Sequence, residues 1–178
     1  MQRHRPPEVR RRQPERRIAA PSPAQDLIRA LAERGLMLGV AESLTGGLLS
    51  SRIVDVPGAS AVFQGGMVTY ATDRKRALLH VDADLLHRHG PVHPEVAAQM
   101  ARHARTALAA DVTLATTGVA GPAIQHGRQV GTVYLACAHP GGVWIRHYHL
   151  GGTRARLRTS TVDLALALGI AAVHTLRR

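Results

Sequence analysis

One cysteine, five aromatic residues and the absence of any long apolar run set the first limits on this 178-residue chain. A lone Cys137 has no internal disulfide partner, and its neighbours Val133-Tyr134-Leu135-Ala136 place it in a buried strand. A reducing cytoplasm is therefore the expected compartment. With aromatics at 3 % the stacking platforms on which single-stranded nucleic acid is read are hard to find. No apolar stretch approaches the roughly 18 residues that span a bilayer, and the N-terminus has no apolar centre of the kind a secretion signal carries, so no membrane partner is expected. Two familiar site motifs are also missing: there is no Gly-x-Ser-x-Gly elbow and no Gly-Lys-Ser/Thr phosphate loop.

What is present is an aliphatic globular composition, 45 % apolar and long enough for one core. The net charge of +11 is unevenly spread. Residues 1–23 carry seven arginines (Arg3, Arg5, Arg10, Arg11, Arg12, Arg16, Arg17) against Glu8 and Glu15, which is +5 of the total, interleaved with five prolines. Such a segment cannot bury a core and is expected to be a disordered arm, either a solvated tail or a contact for nucleic acid or acidic surfaces, with the folded domain running over 24–178. The domain itself keeps a charge of +6, which suits phosphate-bearing small molecules as well as nucleic acid.

Hydrophobic periodicity and turn residues give the order αβαβααβββα. Helices are predicted over 24–34, from the glycine turn to Val54, over 73–79, over 94–109 and over 154–176. Strands are predicted over 36–41, 67–70, 112–117, 130–138 and 143–150, with 85–90 as a turn. That pattern specifies an α/β fold, a single three-layer domain with a mixed β-sheet flanked by helices.

Chemistry concentrates where Leu36-Met37-Leu38-Gly39-Val40 runs through Glu42-Ser43-Leu44-Thr45 into Gly46-Gly47 and a helix. The glycines let the backbone approach a ligand, and the helix is expected to aim its unpaired N–H groups at the same spot. Ser43 there is either an ordinary helix cap, the commoner use, or a nucleophile with an oxyanion site beside it. Tyr70 and Lys75 lie at the ends of neighbouring elements, where side chains converge on the rim of an α/β sheet. A lysine of lowered pKa can take the serine proton and a phenol can relay it, chemistry suited to amide hydrolysis. Equally, Lys75 reads as a solvated cation within Asp73-Arg74-Lys75-Arg76 and Tyr70 as an amphipathic strand end. Eleven histidines include the pairs His87/His89 and His147/His149, but no Cys or carboxylate pattern completes a zinc set, so no metal is expected.

Five segments together, Ala41-Glu42-Ser43-Leu44-Thr45-Gly46-Gly47, Val56-Pro57-Gly58-Ala59-Ser60-Ala61-Val62-Phe63, Gly65-Gly66-Met67-Val68-Thr69-Tyr70 with Lys75, Thr117-Gly118-Val119-Ala120-Gly121-Pro122 and Val130-Gly131-Thr132-Val133-Tyr134, resemble the CinA C-terminal domain family, the nicotinamide mononucleotide amidohydrolases. The resemblance runs from about residue 24 to the C-terminus. It implies hydrolysis of the carboxamide of nicotinamide mononucleotide to nicotinate mononucleotide and ammonia, a step of pyridine nucleotide recycling and NAD salvage, without a metal or organic cofactor. It also implies a homo-oligomer. Ser43 would be the nucleophile, Lys75 the general base and Tyr70 the group that orients or shuttles the proton. Thr45, Gly46, Gly47, Gly118, Ala120 and Gly121 would line the mononucleotide site, with Arg154, and Arg158 one turn on, facing either a phosphate or solvent. Where the family has a glycine-rich stretch after its Gly-x-Ala-Gly-Pro turn, this chain has Ala123-Ile124-Gln125-His126. The alternative function is accordingly a nucleotide-binding module of the same family that is non-catalytic or of altered specificity.

Overall fold

Ser22 opens the first helix: its hydroxyl accepts from the Gln25 N–H while the Gln25 side chain returns to the Ser22 N–H, and Pro23 fits the first helical position. The computed structural model describes residues 20–176, so most of the arginine-rich segment lies outside the described residues. Ser22 and Pro23 belong to the domain rather than to the arm, because they build this cap. The elements are α1 (Pro23–Ala32), β1 (Leu38–Glu42), α2 (Leu48–Val54), a 3-10 turn (Ala59–Ala61), β2 (Phe63–Val68), α3 (Thr72–Leu79), α4 (Ala83–His89), α5 (Pro94–Ala107), β3 (Val112–Gly118), β4 (Thr132–His139), β5 (Gly142–His149) and α6 (Arg154–Thr175).

The five strands form one sheet in the order β2-β1-β3-β4-β5. β1 pairs in parallel with both β2 and β3, and the β3–β4 and β4–β5 pairs are antiparallel. Alternate side chains feed two cores. Leu38 and Val40 of β1, Leu114 of β3 and Leu135 of β4 pack under α1, α2 and α6, while Ala41, Ala115 and Ala136 pack under α5, with Leu79 of α3 and Leu86 of α4 in the same cluster. The result is the expected three-layer α/β domain with a mixed sheet. Among the described residues no helix is long and apolar enough to cross a membrane.

Two predicted boundaries need correction. Residues 85–90, predicted as a turn, are most of α4, which Asp82 caps by accepting from the Leu85 N–H and Gly90 ends at φ +70°. Seven residues are too few for apolar periodicity to register, so only the caps could have revealed it. β2 begins at Phe63 and ends at Val68 rather than covering 67–70. The Gly65-Gly66 pair is strand interior, and Gly66 is small for a packing reason: a Cβ there would stand 2.2 Å from Ser50 Oγ and 2.8 Å from Val40 Cγ2.

Candidate active site

Between β1 and β3 the chain order reverses, since β2 follows β1 to one side and β3 lies on the other. In open sheets with parallel strands the crevice beyond the carboxyl ends at such a switch point is where loops diverge and ligands bind. Ser43 follows β1, Thr69 and Tyr70 follow β2, and Gly118–Gly121 closes β3, so all three sets reach this crevice. A cavity of about 290 Å³ occupies it, walled by Ser43, Leu44, Tyr70, Lys75, Pro91, Val92, 118–125 and Arg154.

Lys75 is the largest of the fully buried side chains, 1 % exposed, at the fourth position of α3. Its Nζ stands 2.9 Å from Ser43 Oγ, 2.7 Å from the Thr69 carbonyl and 3.4 Å from the Tyr70 carbonyl. Burial removes the ammonium's water, and this desolvation pulls the pKa from 10.5 to about 8. The reading of Lys75 as a solvated cation is thereby corrected: its neighbours Arg74 and Arg76 are the exposed members of that run. A neutral amine has two N–H groups and one lone pair, which match two carbonyls and one serine O–H. The reading of Ser43 as a helix cap is likewise corrected, because the cap position of α2 is Gly47 in a left-handed conformation.

Tyr70 stands apart from that pair. The residue is 58 % exposed at the mouth, and its hydroxyl accepts from Arg154 Nη2 at 2.7 Å. Arg154 also donates through Nη1 to the Gly121 carbonyl at 2.8 Å, so one guanidinium bridges the loops after β2 and β3. Gly118, Ala120 and Gly121 line the cavity.

Thr45, Gly46 and Gly47 do not line it. Thr45 is buried with its hydroxyl 2.8 Å from that of Thr116, and the two glycines turn the chain with φ of +57° and +92° toward Arg158 and Val68. The N–H groups at the start of α2 are not aimed at the cavity either, because the Glu42 carboxylate takes those of Gly47, Leu49 and Ser50. Sequence reasoning missed this role of Glu42, although a carboxylate ending a fully buried strand is itself a signal that donors must converge on it. It also missed Thr69, whose carbonyl holds the amine, and the Pro91–Val92 wall.

The 123–126 segment is tied down by backbone pairing of Gln125 with Arg128 in both directions, and the two residues between them, His126 and Gly127, have positive φ as a type I′ turn requires. The His126 ring rests on Gly90, where a Cβ would stand 2.5 Å from its Cγ. His147 stacks on Tyr134 and His89 on His93. Among the described residues no group of three or more His, Cys, Asp or Glu side chains is placed to hold a metal ion.

The model of the CinA C-terminal domain matches residues 21–172. A CinA-like protein of Frankia casuarinae is 50 % identical over 138 residues, which is 78 % of this chain and 32 % of that protein. The chain thus spans about a third of the length of the curated relatives it matches. The crystal structure of competence damage-inducible protein A from Klebsiella pneumoniae is similar with a TM-score of 0.84 at 28 % identity, covering 87 % of this chain and 97 % of that one. A competence/damage inducible protein from Agrobacterium tumefaciens gives 0.79 at 34 % identity, over 87 % and 98 % of the two chains.

Proposed function

This chain belongs to the CinA C-terminal domain family, and from that membership and a desolvated amine set against a serine hydroxyl we propose that it is an amidohydrolase converting nicotinamide mononucleotide to nicotinate mononucleotide and ammonia. The contact of 2.9 Å between Lys75 Nζ and Ser43 Oγ carries the reading. A structural lysine would gain from a carboxylate partner, whereas this one is buried against carbonyls and a hydroxyl, and a pKa near 8 leaves about one molecule in ten with a free amine at pH 7.

In the proposed reaction Nζ takes the Ser43 proton as Oγ attacks the carboxamide carbon. The resulting ammonium, held by the Thr69 and Tyr70 carbonyls, gives that proton to the amide nitrogen, and ammonia leaves an ester on Oγ. Water then attacks the ester with Nζ accepting its proton. The acid product departs and the proton returns to Oγ. Tyr70 and Arg154 at the mouth would hold the mononucleotide, the guanidinium exchanging its phenol and carbonyl partners for an anionic phosphate. A second reading, altered specificity within the same site, is favoured by the fixed 125–128 turn and by Ile124, which lines the mouth at 68 % exposure.

Ser43→Ala is expected to lower ammonia release from nicotinamide mononucleotide by about three orders of magnitude or more with the thermal midpoint little changed. Persistent turnover in that variant would remove Ser43 from the mechanism. A panel of carboxamide nucleotides run on wild type and Lys75→Ala separates the two readings. Turnover of another member, but not of nicotinamide mononucleotide, favours altered specificity.

A further inference from the structure

Two charged side chains outside the cavity grip the turn that carries Ser43. Glu42 and Ser43 are successive residues at the end of β1 and so face opposite sides of the sheet. Ser43 meets Lys75, and Glu42, with no exposed surface, lies under the start of α2. Its Oε2 accepts from the Gly47 and Leu49 N–H groups at 3.0 Å each, and its Oε1 accepts from the Ser50 N–H at 2.8 Å and the Ser50 hydroxyl at 2.6 Å. From α6, Arg158 donates through Nε to the Leu44 carbonyl at 3.1 Å and through Nη2 to the Thr45 carbonyl at 2.6 Å. The carboxylate thus takes donors of the turn and the guanidinium takes its acceptors, within eight residues of chain.

We propose that Glu42 and Arg158 are positioning residues that fix the Ser43 turn so that Oγ faces the Lys75 amine before substrate arrives. This rests on the reading of Ser43 as the nucleophile. The Ser43 N–H is tied to the Thr116 carbonyl and the hydroxyl meets Lys75, but the chain then runs through two glycines of positive φ at 46 and 47, the stretch that these two grips stiffen, and pre-alignment of the attacking atom is worth orders of magnitude in rate. Neither residue lines the cavity, so their removal acts on the rate of attack and not on substrate affinity. Arg158, unlike Arg154, does not line the cavity and so is not placed to hold a phosphate there.

Glu42→Gln tests this because it keeps the shape while turning one acceptor oxygen into a donor that faces N–H groups. The full chain is titrated with a serine-directed fluorophosphonate, which reports separately the fraction of sites labelled and the rate constant of labelling at Ser43. The expected result is complete labelling at a rate about 10- to 100-fold lower, with kcat falling in parallel and KM within about twofold. Amide hydrogen exchange should rise at Gly47, Leu49 and Ser50 and stay as in wild type across β3. Wild-type labelling rate and exchange would overturn the proposal. So would incomplete labelling with the remaining sites reacting at the wild-type rate, which is the mark of lost folding alone. Should Glu42→Gln not fold, Arg158→Lys decides: it lacks the rigid fork that meets the Leu44 and Thr45 carbonyls through separate nitrogens, and a labelling rate unchanged from wild type sinks the idea. If wild-type Ser43 takes no label, the nucleophile reading fails, and exchange at 47–50 then decides by itself whether Glu42 holds the turn.

Discussion

Lys75 sits where a cation is least welcome, and the consequence can be measured in two ways. Its pKa of about 8 in the folded chain lies below the 10.5 of an unfolded lysine, so between those values the unfolded state binds more protons and stability rises with pH. Below about pH 8 the whole penalty, about 3 kcal/mol, weighs on the fold, and above 10.5 it vanishes. Urea denaturation at pH 7.5 and pH 10 should show wild type gaining stability over Lys75→Met by roughly this amount across the interval. In the same window kcat should climb with pH through an apparent pKa near 8, because the proposed mechanism needs the free amine, and Lys75→Arg, protonated throughout, should show no such limb at any pH. At this scale the sequence already held Ser43 and Lys75, since a hydroxyl at a strand-to-helix turn and a lysine at the next element's start are visible in one dimension. The partners of Tyr70 and Glu42 were not legible. The Tyr70 hydroxyl is met by Arg154, 84 residues on, and Glu42 is defined by donors that point at it only once α2 has formed.

Among the elements, α2 is the one whose placement decides the most, and it is packed through a glycine. Gly66→Ala puts a methyl group 2.2 Å from Ser50 Oγ and 2.8 Å from Val40 Cγ2, so either α2 lifts from β2 or Ser50 leaves Glu42. The expected cost is about 1–3 kcal/mol of stability, read by denaturant unfolding, together with a drop in kcat at unchanged KM. Strand order could not be had from local pattern, because adjacency of β1 and β3 across a switch is a property of the whole sheet. The long apolar strands β3 and β4 and the periodic helix α5 were predicted within a few residues because their burial repeats along the chain. Helix α4 was lost because two caps bound only seven residues.

For the molecule as a whole, every side chain that walls the cavity or grips its turn lies between Glu42 and Arg158. Removing residues 1–21, which keeps the Ser22 cap, is therefore expected to leave kcat/KM for the amide within about twofold, measured at several salt concentrations. A steep salt dependence confined to the longer form would show that the arginine-rich segment recruits polyanions. The fold class was legible from the alternation of elements, and so was the +6 charge left on the domain once those arginines are set aside. The way the crevice is walled by segments from five separate stretches of chain was not.

That assembly has a temporal side. The serine is synthesised well before α6, yet the guanidinium that spans the mouth and the one that braces the turn both belong to that helix, at 154 and 158. A ribosome-bound or C-terminally clipped chain ending before that helix would carry the hydroxyl and the amine without the brace. On the proposed mechanism, competence then waits for α6 to be made and docked, and a copy without that helix is held in check.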